Sequence, residues 1–129
     1  MNMSDKIDNK DLRLKVFNKY RGRCAYCGCE IKIDKFSIDH INAKFRGWND
    51  DELKKYGKTK GDDSILNYNP SCYSCNSSKS TLTIEQWKSE ISKKYDRLLK
   101  YDATFRLLNR FNLCIRNDKN ILFYFETQK

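Results

Sequence analysis

Two Cys-x-x-Cys pairs, Cys24/Cys27 and Cys72/Cys75, constrain this chain more than any other feature. Two intervening residues let both sulfurs of a turn reach one ion at about 2.3 Å, so two such pairs make a tetrahedral four-thiolate set for zinc. The competing reading is disulfides or unpaired buried thiols, which suits an oxidising compartment. Against it, no apolar run approaches the roughly 20 residues of a membrane span, and residues 1–10 lack the apolar block of a secretory signal. A cytoplasmic protein with reduced thiols is therefore expected. Four thiolates leave no open position for water, so the zinc is read as structural. Such a staple suits a chain of 129 residues with 39% hydrophobic and 33% charged side chains, because thin cores recruit metals. One domain is expected over residues 1–129, with a core motif over about 23–80 and an extension over 82–129.

The 44 residues from 28 through 71 exceed the usual roughly 15–20 between zinc-ribbon knuckles, which leaves room for an inserted element. Ile31 and Ile33, then Phe36 and Ile38, alternate with polar residues and predict a hairpin bent around Asp34–Lys35. Its second strand runs into Asp39–His40–Ile41. An irregular stretch follows, and within it Asn49 to Gly57 reads as a short helix with acids first, bases last and a closing glycine. Lys58 to Asp63 reads as a surface loop. Ile65 to Tyr68 reads as a short strand interrupted by Pro70, and a helix from near Tyr73 carries Asn76 and Lys79.

Outside the knuckles, Asp8 or Asn9 can cap a first helix whose apolar stripe is Leu12, Val16 and Tyr20, with Phe17 beside them. Gly22 suits a left-handed helix end. Thr83 to Gln86 is a capping box opening a helix with Ile84, Trp87 and Ile91. Asp102 can cap a further helix bearing Phe105, Leu108 and Phe111. Leu113–Arg116 and Ile121–Phe125 predict a C-terminal β-hairpin whose aromatics either close the core or support self-association. Cys29 has the wrong spacing to join the ligands, and Cys114 reads as a core residue.

The net charge of +9 is uneven. Residues 1–23 carry +4 (seven bases, three acids), residues 76–129 carry +5 (eleven bases, six acids), and residues 24–75 are neutral. Basic flanks around a neutral centre suit a polyanionic partner, nucleic acid first. A soluble basic protein with no specific partner is the plainer alternative.

Asp39–His40, followed by Asn67–Tyr68–Asn69–Pro70–Ser71–Cys72–Tyr73–Ser74–Cys75–Asn76–Ser77–Ser78–Lys79, resembles the HNH endonuclease signature in its form with two zinc knuckles. The resemblance covers roughly Arg23 to Lys79. It implies an α+β protein built on a ββα-metal (His-Me finger) core with flanking helices and a structural zinc held by four cysteines. It also implies one catalytic divalent ion and 5′-phosphate and 3′-hydroxyl products. His40 would be the general base, and Asn67 would hold the loop between the two strands. Asp39 and Asn76 would bind the ion, and Lys79 would hold the helix end or contact phosphate. The chemistry is coherent, since an imidazole with a reference pKa of about 6.5 is a suitable base near neutral pH. Oxygen donors suit Mg²⁺ or Mn²⁺. Asn76, where many members have His, argues against catalysis by zinc.

Consecutive strand residues point to opposite faces, so placing both Asp39 and His40 in the site predicts a local irregularity there. Arg23, Lys44, Arg46 and Lys79 are the candidate phosphate contacts, with Arg21 nearby. DNA, double-stranded first, is the expected substrate in a bacterial or phage-encoded setting, with limited sequence specificity and scope for a larger nucleoprotein assembly. A non-catalytic zinc module that binds nucleic acid is the alternative, although it has no need of His40, Asp39 and Asn76 together.

Overall fold

The computed structural model describes residues 10–114 and 120–128. The chain divides into two compact units, residues 1–83 with 122–129, and residues 84–121. The chain is α+β. Among the described residues are six α-helices, a single 3-10 turn and one two-stranded antiparallel sheet.

In the first unit, α1 (Lys10–Lys19) packs Val16 against Phe36, Ile38 and Tyr68, with Leu12, Phe17 and Ile31 at the edge. Arg13 reinforces this contact, donating to the Phe36 carbonyl at 3.0 Å, and Lys19 Nζ donates to the Tyr68 carbonyl at 2.6 Å. The cap expected from Asp8 or Asn9 lies outside the described residues. Gly22 ends the helix with φ +76°, and a Cβ there would meet the Phe17 ring at 3.0 Å. The sequence thus needs glycine at that point for both conformation and space.

β1 (Ser37–His40) pairs with β2 (Tyr68–Ser71) in the register Ile38↔Pro70, Asp39↔Asn69 and His40↔Tyr68. Two sequence expectations change here. The predicted first hairpin strand shrinks to an isolated Lys32↔Lys35 bridge closing a tight turn. Ile65–Asn67 is a 3-10 turn, and the strand begins after it and runs through Pro70. Antiparallel pairs alternate between bonded and non-bonded. The Ile41 N–H to Asn67 carbonyl bond, at 2.8 Å, sets the parity that makes Ile38↔Pro70 a non-bonded pair. The missing proline N–H therefore costs the sheet nothing, and the outward Pro70 carbonyl accepts from Ala25 N at 2.8 Å.

Between the strands, Asn49 caps α2 (Asp50–Lys55) in a reciprocal capping box with Glu52, and Leu53 buries its inner face. Cys72 caps α3 (Tyr73–Lys79). The C-terminal β-hairpin is not formed by the described residues. Leu113 and Cys114 are bends, residues 115–119 lie outside the description, and α6 (Tyr124–Thr127) follows an irregular 120–123. The reason lies in the partners of the backbone. Tyr124 N and Phe125 N donate to the carbonyls of Tyr26 and Ala25, at 3.0 and 2.7 Å. The Glu126 carboxylate accepts from Phe123 N at 2.9 Å. Phe123 and Phe125 both stand edge-on to Tyr26, so these aromatics close the first unit's core over the knuckle.

In the second unit, α4 (Ile84–Tyr101) and α5 (Ala103–Arg110) form a helical pair. Asp102 caps α5 by accepting from Phe105 N at 3.0 Å, and Tyr95 meets Phe105 edge-on. No helix among the described residues is long and apolar enough to cross a membrane.

Candidate metal centre and active site

The sulfurs of Cys24, Cys27, Cys72 and Cys75 all lie within 4.8 Å of one another. Zn–S bonds of about 2.3 Å in a tetrahedron place sulfurs about 3.8 Å apart, and Cys27 Sγ to Cys72 Sγ is 3.9 Å. Backbone amides already point at the sulfurs: Tyr26 N at Cys24 Sγ and Cys75 N at Cys72 Sγ, both 3.4 Å. Burial would raise the Cys27 thiol, but the Cys29 amide and neighbouring sulfurs bring it down to about 7. Burial and the surrounding sulfur charges push Cys75 up. Four clustered thiolates repel one another, and a dication such as zinc resolves that conflict. The donor set fits. Cys29 is exposed and Cys114 half-buried, and neither joins the cluster.

The two knuckles aim the adjoining residues. Cys72 and Cys75 fix the start of α3, Asn76 follows directly, and Lys79 comes one turn later on the same side. Lys79 is fully buried. Its ammonium donates to the His40 carbonyl at 3.0 Å and pairs with Asp39 Oδ2 at 3.1 Å. That withdraws Lys79 from the expected phosphate contacts, since a phosphate cannot reach it, and makes it the tie between α3 and β1. From the first knuckle, the Tyr26 hydroxyl donates to the same Asp39 oxygen, and Asn69 Nδ2 donates to the Tyr26 oxygen at 3.4 Å. Burial pushes the Asp39 carboxyl up, opposed by the Lys79 ammonium and the Tyr26 hydroxyl.

The strand pairing is regular through Asp39 and His40, so the expected distortion is absent. Even so, Asp39, His40 and Asn76 all line one cavity of about 470 Å³. Asp39 and Asn76 carry hard oxygen donors, a type that suits Mg²⁺ or Mn²⁺. The Lys79 charge cancels that of Asp39, so the pair alone offers little net attraction to a cation.

His40 Nε2 lies 2.9 Å from Asp63 Oδ1. The other Asp63 oxygen pairs with Lys44, and the Tyr68 hydroxyl donates to Oδ1 at 3.1 Å. Hydrogen bonds from Lys44 first, then His40, hold the Asp63 carboxyl well below the usual carboxylate range. Sequence reasoning missed Asp63, because nothing in 58–63 distinguishes it from Asp62 beside it. Asn67 is buried, and its side chain staples the ends of the insertion. Its Oδ1 accepts from Asn42 N at 2.9 Å, and its Nδ2 donates to the carbonyls of Asn42 and Asp62 at 3.0 and 2.9 Å. Lys44 and Arg46 line the cavity. Arg23 does not. It binds the Gly28 carbonyl at 2.8 Å and faces Glu30 at 3.8 Å, serving its own knuckle.

No protein-family model matches the chain. Over 96 residues, 71% of its length, it is 34% identical to the SPbeta prophage-derived putative HNH endonuclease YoqL of Bacillus subtilis (strain 168), and the match spans 37% of that relative. The type II-C Cas9 enzyme from Actinomyces naeslundii resembles 64% of the chain at 22% identity and a TM-score of 0.49, over 8% of its own chain. The ordered motif, the four-cysteine cluster and the prophage relative place this chain in the HNH endonuclease family.

Proposed function

We propose that this chain is a metal-dependent endonuclease that hydrolyses DNA phosphodiester bonds on a ββα-metal core, with His40 as general base. The observation that carries the reading is the meeting of Asp39, His40 and Asn76 on one cavity, with His40 held from behind by Asp63.

An ionised carboxylate only accepts hydrogen bonds. The Asp63 contact therefore favours the tautomer with the proton on Nε2 and leaves the Nδ1 lone pair to take a proton from water. Asp63 thus acts as a positioning residue, and Lys44 and Tyr68 fix Asp63 in turn. Asn67 holds the loop that carries Asp63 at a constant distance from β1. Asp39 and Asn76 would hold Mg²⁺ or Mn²⁺, which when bound offsets charge on the scissile phosphate and the leaving 3′ oxygen. Lys79 and Tyr26 orient the Asp39 carboxylate from its buried side, and Arg46 lies on the cavity wall where a substrate phosphate would pass.

The products test the reading. Cleavage of a labelled DNA should require Mg²⁺ or Mn²⁺ beyond the structural zinc, and should leave ends that a ligase rejoins without repair. Asn76→Ala should abolish that cleavage while leaving the zinc content at one per chain. Cleavage in zinc alone, or ends that cannot be rejoined, would refute it.

A further inference from the structure

The segment between Ala43 and Lys58 places more aromatic surface at the cavity than packing requires. Phe45 and Trp48 are part of its wall, with ring centroids 5.1 Å apart. Tyr56 continues the row, 5.6 Å from Trp48, and is 57% exposed. The fold of this insertion is anchored by another residue, Leu53, which is almost fully buried. Phe45 and Trp48 stay half-buried. Phe45 also adopts a left-handed φ of +51°, which bulky side chains avoid, in a turn closed by Trp48 N to the Phe45 carbonyl at 3.0 Å. A conformation of that kind is kept where it presents a side chain that is needed.

Cations accompany the rings. Lys58 Nζ lies 5.9 Å from the Phe45 centroid and Lys55 Nζ lies 5.4 Å from that of Tyr56, while exposed Arg46 sits between Phe45 and Trp48 in sequence and on the same wall. Alternating aromatic and basic side chains form the surface that holds unpaired nucleotides, with bases on the rings and phosphates on the cations. A base within a duplex already has both faces covered by its neighbours, so it offers nothing to such a row unless it leaves the stack. Phe45, Arg46 and Trp48 share this cavity with Asp39, His40 and Asn76.

We propose that Phe45 and Trp48 form a shelf that stacks an unpaired base next to the scissile phosphate. The preferred substrate is then single-stranded DNA, or duplex DNA with unpaired nucleotides at the cut, rather than the intact duplex first expected. This rests on the nuclease reading for the word "substrate". The stacking itself can be measured without cleavage.

Tryptophan emission gives the readout, because the chain has two tryptophans and Trp87 is buried. His40→Ala protein, kept in its zinc-bound form without added Mg²⁺, is titrated with a single-stranded oligonucleotide and with the same sequence as duplex. The shelf predicts quenching and tighter binding for the single strand. For the Trp48 variants, which lack the reporter, binding is read by the anisotropy of an end-labelled oligonucleotide: Trp48→Leu keeps apolar bulk without a stacking face and should weaken single-strand binding roughly tenfold or more, whereas Trp48→Tyr keeps most of it. Melting temperatures of the two variants check that both fold alike. Equal affinity for the two DNA forms, or equal loss in Leu and Tyr variants of matching stability, overturns the shelf. Stacking without cleavage by wild type upholds the shelf and refutes the nuclease reading. Cleavage that ignores Trp48 and shows no preference for unpaired DNA upholds the nuclease and refutes the shelf.

Discussion

The Tyr26 hydroxyl, set between the two cysteines of the first knuckle, donates to Asp39 Oδ2 at the cavity. One side chain thereby joins the four-sulfur cluster to the carboxylate proposed to hold the catalytic ion. The other knuckle does the same through α3, where Lys79 pairs with that oxygen. Asp39 is thus gripped from both halves of the metal centre.

Tyr26→Phe removes a buried hydrogen bond to a charged group, worth about 1.5–3 kcal/mol. The expected result is a modest loss of stability and a higher Mg²⁺ concentration for half-maximal cleavage, because Asp39 loses one orienting contact. A Mg²⁺ titration of the cleavage rate measures this directly. An unchanged Mg²⁺ requirement would show that Tyr26 does not set the carboxylate.

Lys79→Met leaves Asp39 as a buried charge without its ion-pair partner. Breaking such a pair costs about 3–5 kcal/mol, a large part of the stability of a small domain. Adding Asp39→Asn should recover part of the loss in urea unfolding. A double variant no more stable than Lys79→Met alone would contradict the pairing.

Gly61 lies against the Asn67 staple, and a Cβ there would fall 1.8 Å from the Asn42 carbonyl oxygen. Gly61→Ala must push the loop ends apart and disturb the Asn67 bonds, and with them the carrier of Asp63. Cleavage should fall to near the level of Asn67→Ala, with zinc still bound. Full activity in Gly61→Ala would refute the staple.

The Asp63 carboxyl has a folded pKa held below its unfolded value, about 3.9, by Lys44 and His40. Its contribution to stability is therefore fully present above the unfolded value and is lost as the pH falls through the lower folded one. The side chain is 37% exposed, so solvent screens the effect and it is small. Melting temperatures of wild type and Asp63→Asn should differ by a constant amount above about pH 5 and converge in strong acid. A gap that widens on acidification would reverse the sign and refute the assignment.

The parts legible in sequence were those with local causes. The cysteine spacing, the short helix within Asn49–Gly57 and the Asp102 cap each depend on residues within a few positions of one another. Motif order singled out Asn67, Asp39, His40 and Asn76 as candidates. What escaped were pairings across the chain. Asp63 reaches His40 over 23 positions and Tyr26 reaches Asp39 over 13, and in neither case does any periodicity mark the partner. The sequence leaves Lys79 between holding the helix end and contacting phosphate, and its burial against Asp39 fits the first. Ile121–Phe125 alternates like a strand, yet its amides are taken by the carbonyls of Ala25 and Tyr26.

Single-turnover cleavage by wild type and His40→Ala, with protein in excess and Mg²⁺ present, tests the central claim most directly. Loss of a general base should slow cleavage roughly 10²–10⁴-fold, with DNA affinity and zinc content unchanged. Equal rates for the two proteins, or no cleavage by wild type under any divalent ion while DNA is still bound, would contradict it and leave a zinc-stapled nucleic-acid-binding module.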